Sequence, residues 1–194
     1  MSTTTMPKVD GNLEQMINQH LDKVLPKKLE EIEANKTPSM AIIATKGTLD
    51  WAYPPFILGT TAAAMGLPVT MFFTFYGLPL LLKKLDLQLT AAGNPAMKMP
   101  MMGAHMGLPN ILTAIPGVDA ACSKMMKNLM NKKGVASIED LREMALDADV
   151  RMIACQMTMD LFEYSLDDMI EGPELGGAAT YIECATKSDI NLFI

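Results

Sequence analysis

Basic residues are the first shortage. Sixteen lysines and arginines face twenty-two acidic residues in 194, a formal net charge of -6 at pH 7. A nucleic-acid binder needs a basic surface to displace counterions, so that class is excluded. Cysteines number only three, an odd count with wide spacing, which excludes a disulfide framework and fits a reducing compartment where thiols stay free. Histidines number two, His20 and His105, and neither clusters with cysteines as a zinc site would require. Charged residues make up only 20% against 49% apolar, which excludes wholesale disorder. The opening stretch MSTTTMPKVDGN has no apolar segment and no small-residue cleavage site, so no export signal is expected. Aromatics are sparse at 6%, while methionine is overused at 19 residues.

What is present suits one α/β domain with extensions. Residues 12–35 carry an apolar stripe at three- and four-residue steps (Leu13, Met16, Ile17, Leu21) and predict an amphipathic helix. Asp10 or Asn12 is its expected cap, and Pro26 is expected to kink or split it. Packing on its own domain and an oligomer contact are the two roles open to it. Residues 51–82 hold no charge and are long enough to span a bilayer. Pro54, Pro55, Gly66, Pro68, Gly77 and Pro79 break the run, however, and PVTMFFTFYG is rich in β-branched and aromatic residues. The favoured reading is buried helix, turn, buried strand and short helix, the continuous apolarity of a strand covered on both faces.

The remaining pattern alternates. Strands are expected at 40–44, 69–76, 150–154 and 190–194, with LQLT as a short additional strand. Helices are expected at 118–132, from Ser137 with a capping-box-like Asp140, at 156–164 and at 178–187. Such alternation predicts a three-layer α/β sandwich with a mainly parallel sheet flanked by helices. The N-terminal amphipathic helix forms an extension over 1–37, and the domain occupies 38–194. A Met/Gly/Pro-rich insertion interrupts it over about 86–116.

Cys155 ends the apolar run VRMIAC and opens a helix. In a parallel sheet, ligands bind where a strand's carboxyl end meets a helix N-terminus. The unpaired amides and dipole there stabilise an anion, and a thiolate is one. A small buried residue is the plainer reading of the same position. Known thiol chemistries are eliminated by neighbours: a peroxiredoxin needs threonine where Met152 stands, and a thioredoxin motif needs a second cysteine where Thr158 stands. What survives is accepting a sulfur atom, holding it and passing it on.

The chain resembles the DsrE/DsrF-like sulfur-relay family, in the larger branch often labelled peroxiredoxin-like. The matching segments are MAIIATKGTLDWAYPPFILGTTAAAMG with PVTMFFTFYGL, then SIEDLREMALDADVRMIACQMTMDLF, then IEGPELGGAATYIECATKSDINLFI. The stretch Ala-Cys-Gln-Met-Thr-Met-Asp around Cys155 matches most strongly. The resemblance implies that Cys155 carries persulfide or thiosulfonate sulfur between a rhodanese-like sulfurtransferase and a TusA-like carrier. It implies a thiolate relay rather than an independent high-turnover enzyme, in a cytoplasmic homo-oligomer with no cofactor. It also implies a function for a second cysteine near Cys122, as a resolving or receiving thiol. Lys46 and Gly47, in the turn after the first strand, and Gln156, beside Cys155, are the expected cargo-binding residues. A plain strand-to-helix turn competes with that reading for Lys46 and Gly47. Helical packing is expected for Cys184.

Two rival functions stay open. One is a membrane-associated scaffold using 51–82 and the methionine segment. The other is a Cu(I) protein using the thioethers of Met97 to Met106 with His105, since Cu(I) prefers soft ligands.

Overall fold

Met40–Ala44 is an unbroken apolar run, and only a strand covered on both faces can hide it. It forms β1 in the computed structural model, where residues 11–89, 98–101, 104–107, 115 and 117–194 are described. The chain divides into two compact units, Met1–Thr37 and Pro38–Ile194.

The first unit contains α1, Gly11–Asn35. Pro26 lies inside it. The helix is not split there: it runs on past the proline, which removes one ladder hydrogen bond. Asn12 is inside the helix rather than its cap, and Asp10 lies outside the described residues.

The second unit is built on a five-stranded sheet in the order β6-β5-β2-β1-β7. Its other members are β2 (Val69–Phe73), β5 (Arg151–Cys155), β6 (Glu174–Gly176) and β7 (Ile190–Phe193). Every neighbouring pair is parallel, with registers such as Ile43↔Phe72, Phe72↔Ile153, Ile43↔Phe193 and Cys155↔Gly176. Helices cover both faces, giving the parallel α/β sandwich that the alternation implies. These are α2 (Leu49–Ala64), α3 (Val118–Lys132), α4 (Ile138–Asp147), α5 (Gln156–Phe162) and α6 (Ala178–Ala185).

Successive strand residues face opposite sides, so the sheet divides the apolar side chains into two clusters. Ile42, Met71, Phe73 and Met152 pack with Phe56 of α2 and Leu141 of α4. Ala41, Phe72, Ile153 and Cys155 pack with Tyr181 of α6. Phe56 meets Phe73 with ring centroids 5.7 Å apart, and Tyr181 stacks on Phe72 at 5.4 Å. Burying each such ring contributes about 2–3 kcal/mol.

The uncharged run resolves as α2, a turn at Gly66, β2 and a 3-10 segment over Phe75–Leu81. Among the described residues, no helix is long and apolar enough to cross a membrane. The capping box at Ser137 is present. The Ser137 amide donates to Asp140 Oδ2 at 2.9 Å, and the Asp140 amide donates to Ser137 Oγ at 3.1 Å.

Three elements differ from expectation. β2 stops at Phe73 because Phe75 takes a left-handed φ of 47°, which a strand cannot hold. The LQLT segment forms no strand in its described part, Leu87–Leu89. Its backbone is satisfied elsewhere: Gln88 O accepts from the Leu49 amide, and the Leu89 amide donates to Ser123 Oγ at 2.7 Å. β6 was not expected, and it supplies the sheet edge beside β5. Within the methionine-rich segment, β3 (Lys98–Met101) and β4 (Ala104–Gly107) pair as an antiparallel hairpin with Pro100 opposite His105. The side chains proposed for Cu(I), Met97 to Met106, lie outside the described residues.

Candidate functional site

Cys155 is the last residue of β5 and the residue from which α5 starts, with extended backbone at φ -70° and ψ 111°. It belongs to the Tyr181 cluster and is only 4% exposed. A small side chain is needed next to it. Gly176 is its register partner on β6, and a Cβ there would lie 2.6 Å from Ile153 Cγ2 and 3.2 Å from Thr180 Cβ.

Burial and nearby polar groups act on the thiol in opposite directions. Burial is the largest single influence on the thiol and pushes its pKa up. The Thr158 and Thr74 hydroxyls, with the Thr158 and Met157 amides, outweigh burial together and hold the thiol below the ordinary cysteine value. The two amides belong to the first turn of α5, where backbone donors have no intrahelical partner. The hydroxyls come from two elements. Thr158 is one turn into α5 and fully buried, and Thr74 follows the end of β2. Their oxygens are 3.2 Å apart, and the Phe75 amide donates to Thr158 Oγ1 at 3.1 Å. The site can therefore hold an anionic sulfur, although its largest donors are not the helix terminus that sequence reasoning singled out. Thr158 was visible in the sequence as the residue in the second-cysteine position. Thr74 left no sequence signal, because only the β2–β5 pairing brings it near.

The segment carrying Thr74 and Phe75 is locked onto the neighbouring turn. A Cβ on Gly77 would fall on the Ala44 carbonyl, and one on Gly47 would fall on the Tyr76 carbonyl oxygen. The two backbones cross where only glycine fits. Beyond them lies an apolar rim. Phe75, Tyr76, Met157 and Leu161 are exposed, and Tyr76 stacks on Phe162 with centroids 5.9 Å apart.

The other expected residues are placed as follows. The Lys46 ammonium sits 3.3 Å from the centroid of the Trp51 ring, a cation–π contact. Gly47 serves the chain crossing. Gln156 is exposed, and its Nε2 donates to Asp160 Oδ1 at 2.8 Å. Cys122 on α3 is buried, but it belongs to the Phe56 cluster on the opposite side of the sheet from Cys155. The structure does not bring the two thiols together. Cys184 on α6 is half-buried, with Arg151 Nη1 donating to its Sγ at 2.7 Å and Arg151 Nε 2.5 Å from Glu174 Oε1. A cavity of about 130 Å³ between Leu49, Tyr53, Leu87, Lys127 and Ile138 contains no cysteine. Among the described residues, no His/Cys/Asp/Glu group could hold a metal ion.

A parallel α/β domain with a buried cysteine at a strand's carboxyl end defines the class. The chain belongs to the DsrE/DsrF/DrsH-like family, whose model matches residues 36–193. It is 56% identical over 155 residues to "Sulfur carrier protein DsrE2" of Allochromatium vinosum, covering 80% of this chain and 97% of that protein. It is 32% identical over 162 residues to "Uncharacterized protein YrkE" of Bacillus subtilis, covering 82% and 98%. Among solved structures, the ychN protein from E. coli aligns with a TM-score of 0.45 at 13% identity, over 81% of this chain and 99% of that one. That last likeness is too weak to add to the family assignment.

Proposed function

We propose that this protein is a sulfur carrier that holds sulfur on Cys155 and passes it to a thiol of a partner protein. The observation that carries the reading is the place of Cys155 at the carboxyl end of β5 and the start of α5, with its thiol held below the ordinary value. A thiol held below the ordinary cysteine value presents more thiolate, which attacks sulfane sulfur and is displaced again by a second thiolate. Family membership supports the reading, as does the name of the Allochromatium relative.

The cargo is a persulfide or thiosulfonate. The expected partners are a rhodanese-like donor and a TusA-like acceptor in the cytoplasm, and the carrier is expected to work as a homo-oligomer. Cys122 enters this reading as a second thiol. Its place across the sheet favours exchange with another chain over exchange with its own Cys155. Lys46, Gly47 and Gln156 are the proposed cargo contacts. Lys46 and Gln156 would leave Trp51 and Asp160 to serve.

Mass spectrometry after incubation with polysulfide, thiosulfate or tetrathionate tests this. The expected result is a sulfur-bearing adduct on the Cys155 peptide, absent in Cys155→Ser. An unmodified Cys155, or adducts undiminished in the variant, would overturn it.

A further inference from the structure

α1 runs for 25 residues and buries none of them. Most helical stability in proteins comes from packing an apolar face, and Pro26 removes a ladder bond from this helix as well. The face is present. Ile17, Leu21, Leu25 and Ile32 recur at four- and seven-residue steps and are 47%, 48%, 54% and 64% exposed.

Two charges interrupt it. Residues seven apart on a helix lie almost on one line along its surface. Glu14, Leu21 and Lys28 form such a line. It runs down the middle of the apolar face, with Ile17 and Val24 on one side and Leu25 and Ile32 on the other. Glu14 and Lys28 are both exposed. They stand at equal distances before and after Leu21, and their charges are opposite.

We propose that α1 pairs antiparallel with α1 of a second copy of this chain, about a two-fold axis at Leu21. That axis sets Leu21 against Leu21, Ile17 against Val24, and Glu14 against Lys28 on both sides. Each charge on the face then meets its opposite. A parallel pair would set Glu14 against Glu14 and Lys28 against Lys28, and like charges disfavour it. A lipid surface is the poorer match. α1 contains five acidic residues against three lysines, and no tryptophan, tyrosine or phenylalanine. Helices that lie on membranes are rich in lysine and arginine, with aromatic or leucine anchors. The family model begins at residue 36, so α1 lies outside the part of the chain that it matches. The pairing goes beyond the carrier reading and does not depend on it.

Carbodiimide coupling of the wild-type chain is the first test, because it forms an amide only between a carboxylate and an amine in contact. Within one helix Glu14 and Lys28 are about 21 Å apart, so a linkage between them joins two chains. Mass spectrometry is expected to find that linkage. Its absence would overturn the pairing. Glu14 coupled instead to lysines of 38–194 would give the face to the chain's own domain. Flotation with phosphatidylglycerol vesicles, without the linkage, would give it to lipid.

Sedimentation velocity over a concentration series is the second test. Leu21→Glu places two like charges on the axis, and the mass is expected to fall to half or less. Glu14→Lys and Lys28→Glu each turn both matched pairs into like-charge pairs, and each is expected to weaken association about tenfold. The double variant restores both matches and the wild-type mass, which a parallel pair would not predict. α1 belongs to a unit separate from Pro38–Ile194, so an unchanged thermal unfolding of the domain shows that each variant is folded. An unchanged mass in Leu21→Glu, or a double variant as weak as either single one, would overturn the pairing whatever Cys155 does with sulfur.

Discussion

The hydroxyl oxygens of Thr74 and Thr158 lie 3.2 Å apart although the residues are 84 positions apart in sequence. One follows the end of β2 and the other sits one turn into α5, so the donor set exists only when β2 and β5 pair. The Cys155 thiol is correspondingly lowered only in the folded chain.

That linkage has a sign. An acid whose pKa is depressed by folding adds stability above its unfolded value, about 8.5 for a cysteine, and loses it as pH falls through the folded value. Urea unfolding of wild type and Cys155→Ala across this range is expected to show the wild-type advantage growing with rising pH. A pH-independent difference would contradict it.

The crossing of Gly47 over the Tyr76 carbonyl and of Gly77 over the Ala44 carbonyl leaves no room for a methyl group. Gly77→Ala is expected to cost about 3 kcal/mol or more, since backbone rather than a flexible side chain must move. Denaturant midpoints measure this. Because the crossing positions Phe75, the alkylation midpoint of Cys155 is expected to rise in the same variant.

Arg142 is only 8% exposed, and its Nη1 donates to Leu80 O at 3.1 Å and Leu82 O at 2.7 Å. It ties α4 to the end of the 3-10 segment. Arg142→Met keeps the volume but strands two carbonyls, and an unfolding loss of about 2–3 kcal/mol is expected by urea denaturation.

Removing the Ser137 side chain opens the capping box of α4. Ser137→Ala is expected to cost about 1 kcal/mol. The Asp140 carboxyl, held below its usual range by hydrogen bonds with the Ser137 side chain and then its backbone, gives its contribution at neutral pH. That contribution disappears as pH falls through the lowered value. The gap between variant and wild type should therefore narrow in acid.

Much of the fold was legible because its signals are local. Apolar runs marked β1, β2 and β5, and Ser137 with Asp140 marked the start of α4. β6 escaped because Glu174–Gly176 is three residues long and carries no apolar alternation. LQLT looked like a strand from composition, but its backbone donors and acceptors go to α2 and α3. At the site, the position of Cys155 between strand and helix could be read from periodicity. Thr74 could not, because its importance comes from a pairing distant in sequence. The sequence could not separate Cys122 from Cys155 either, since the face on which a helical cysteine packs depends on the chain's path around the sheet.

One helical turn beyond Cys155 the side chain ends in an alcohol, which forms no sulfur–sulfur bond. A charged molecule thus has no neighbour in that position able to strip its cargo as sulfide and close a ring. How long it stays charged then becomes a matter of encounter: dilution should lengthen the interval, and added acceptor should shorten it in proportion.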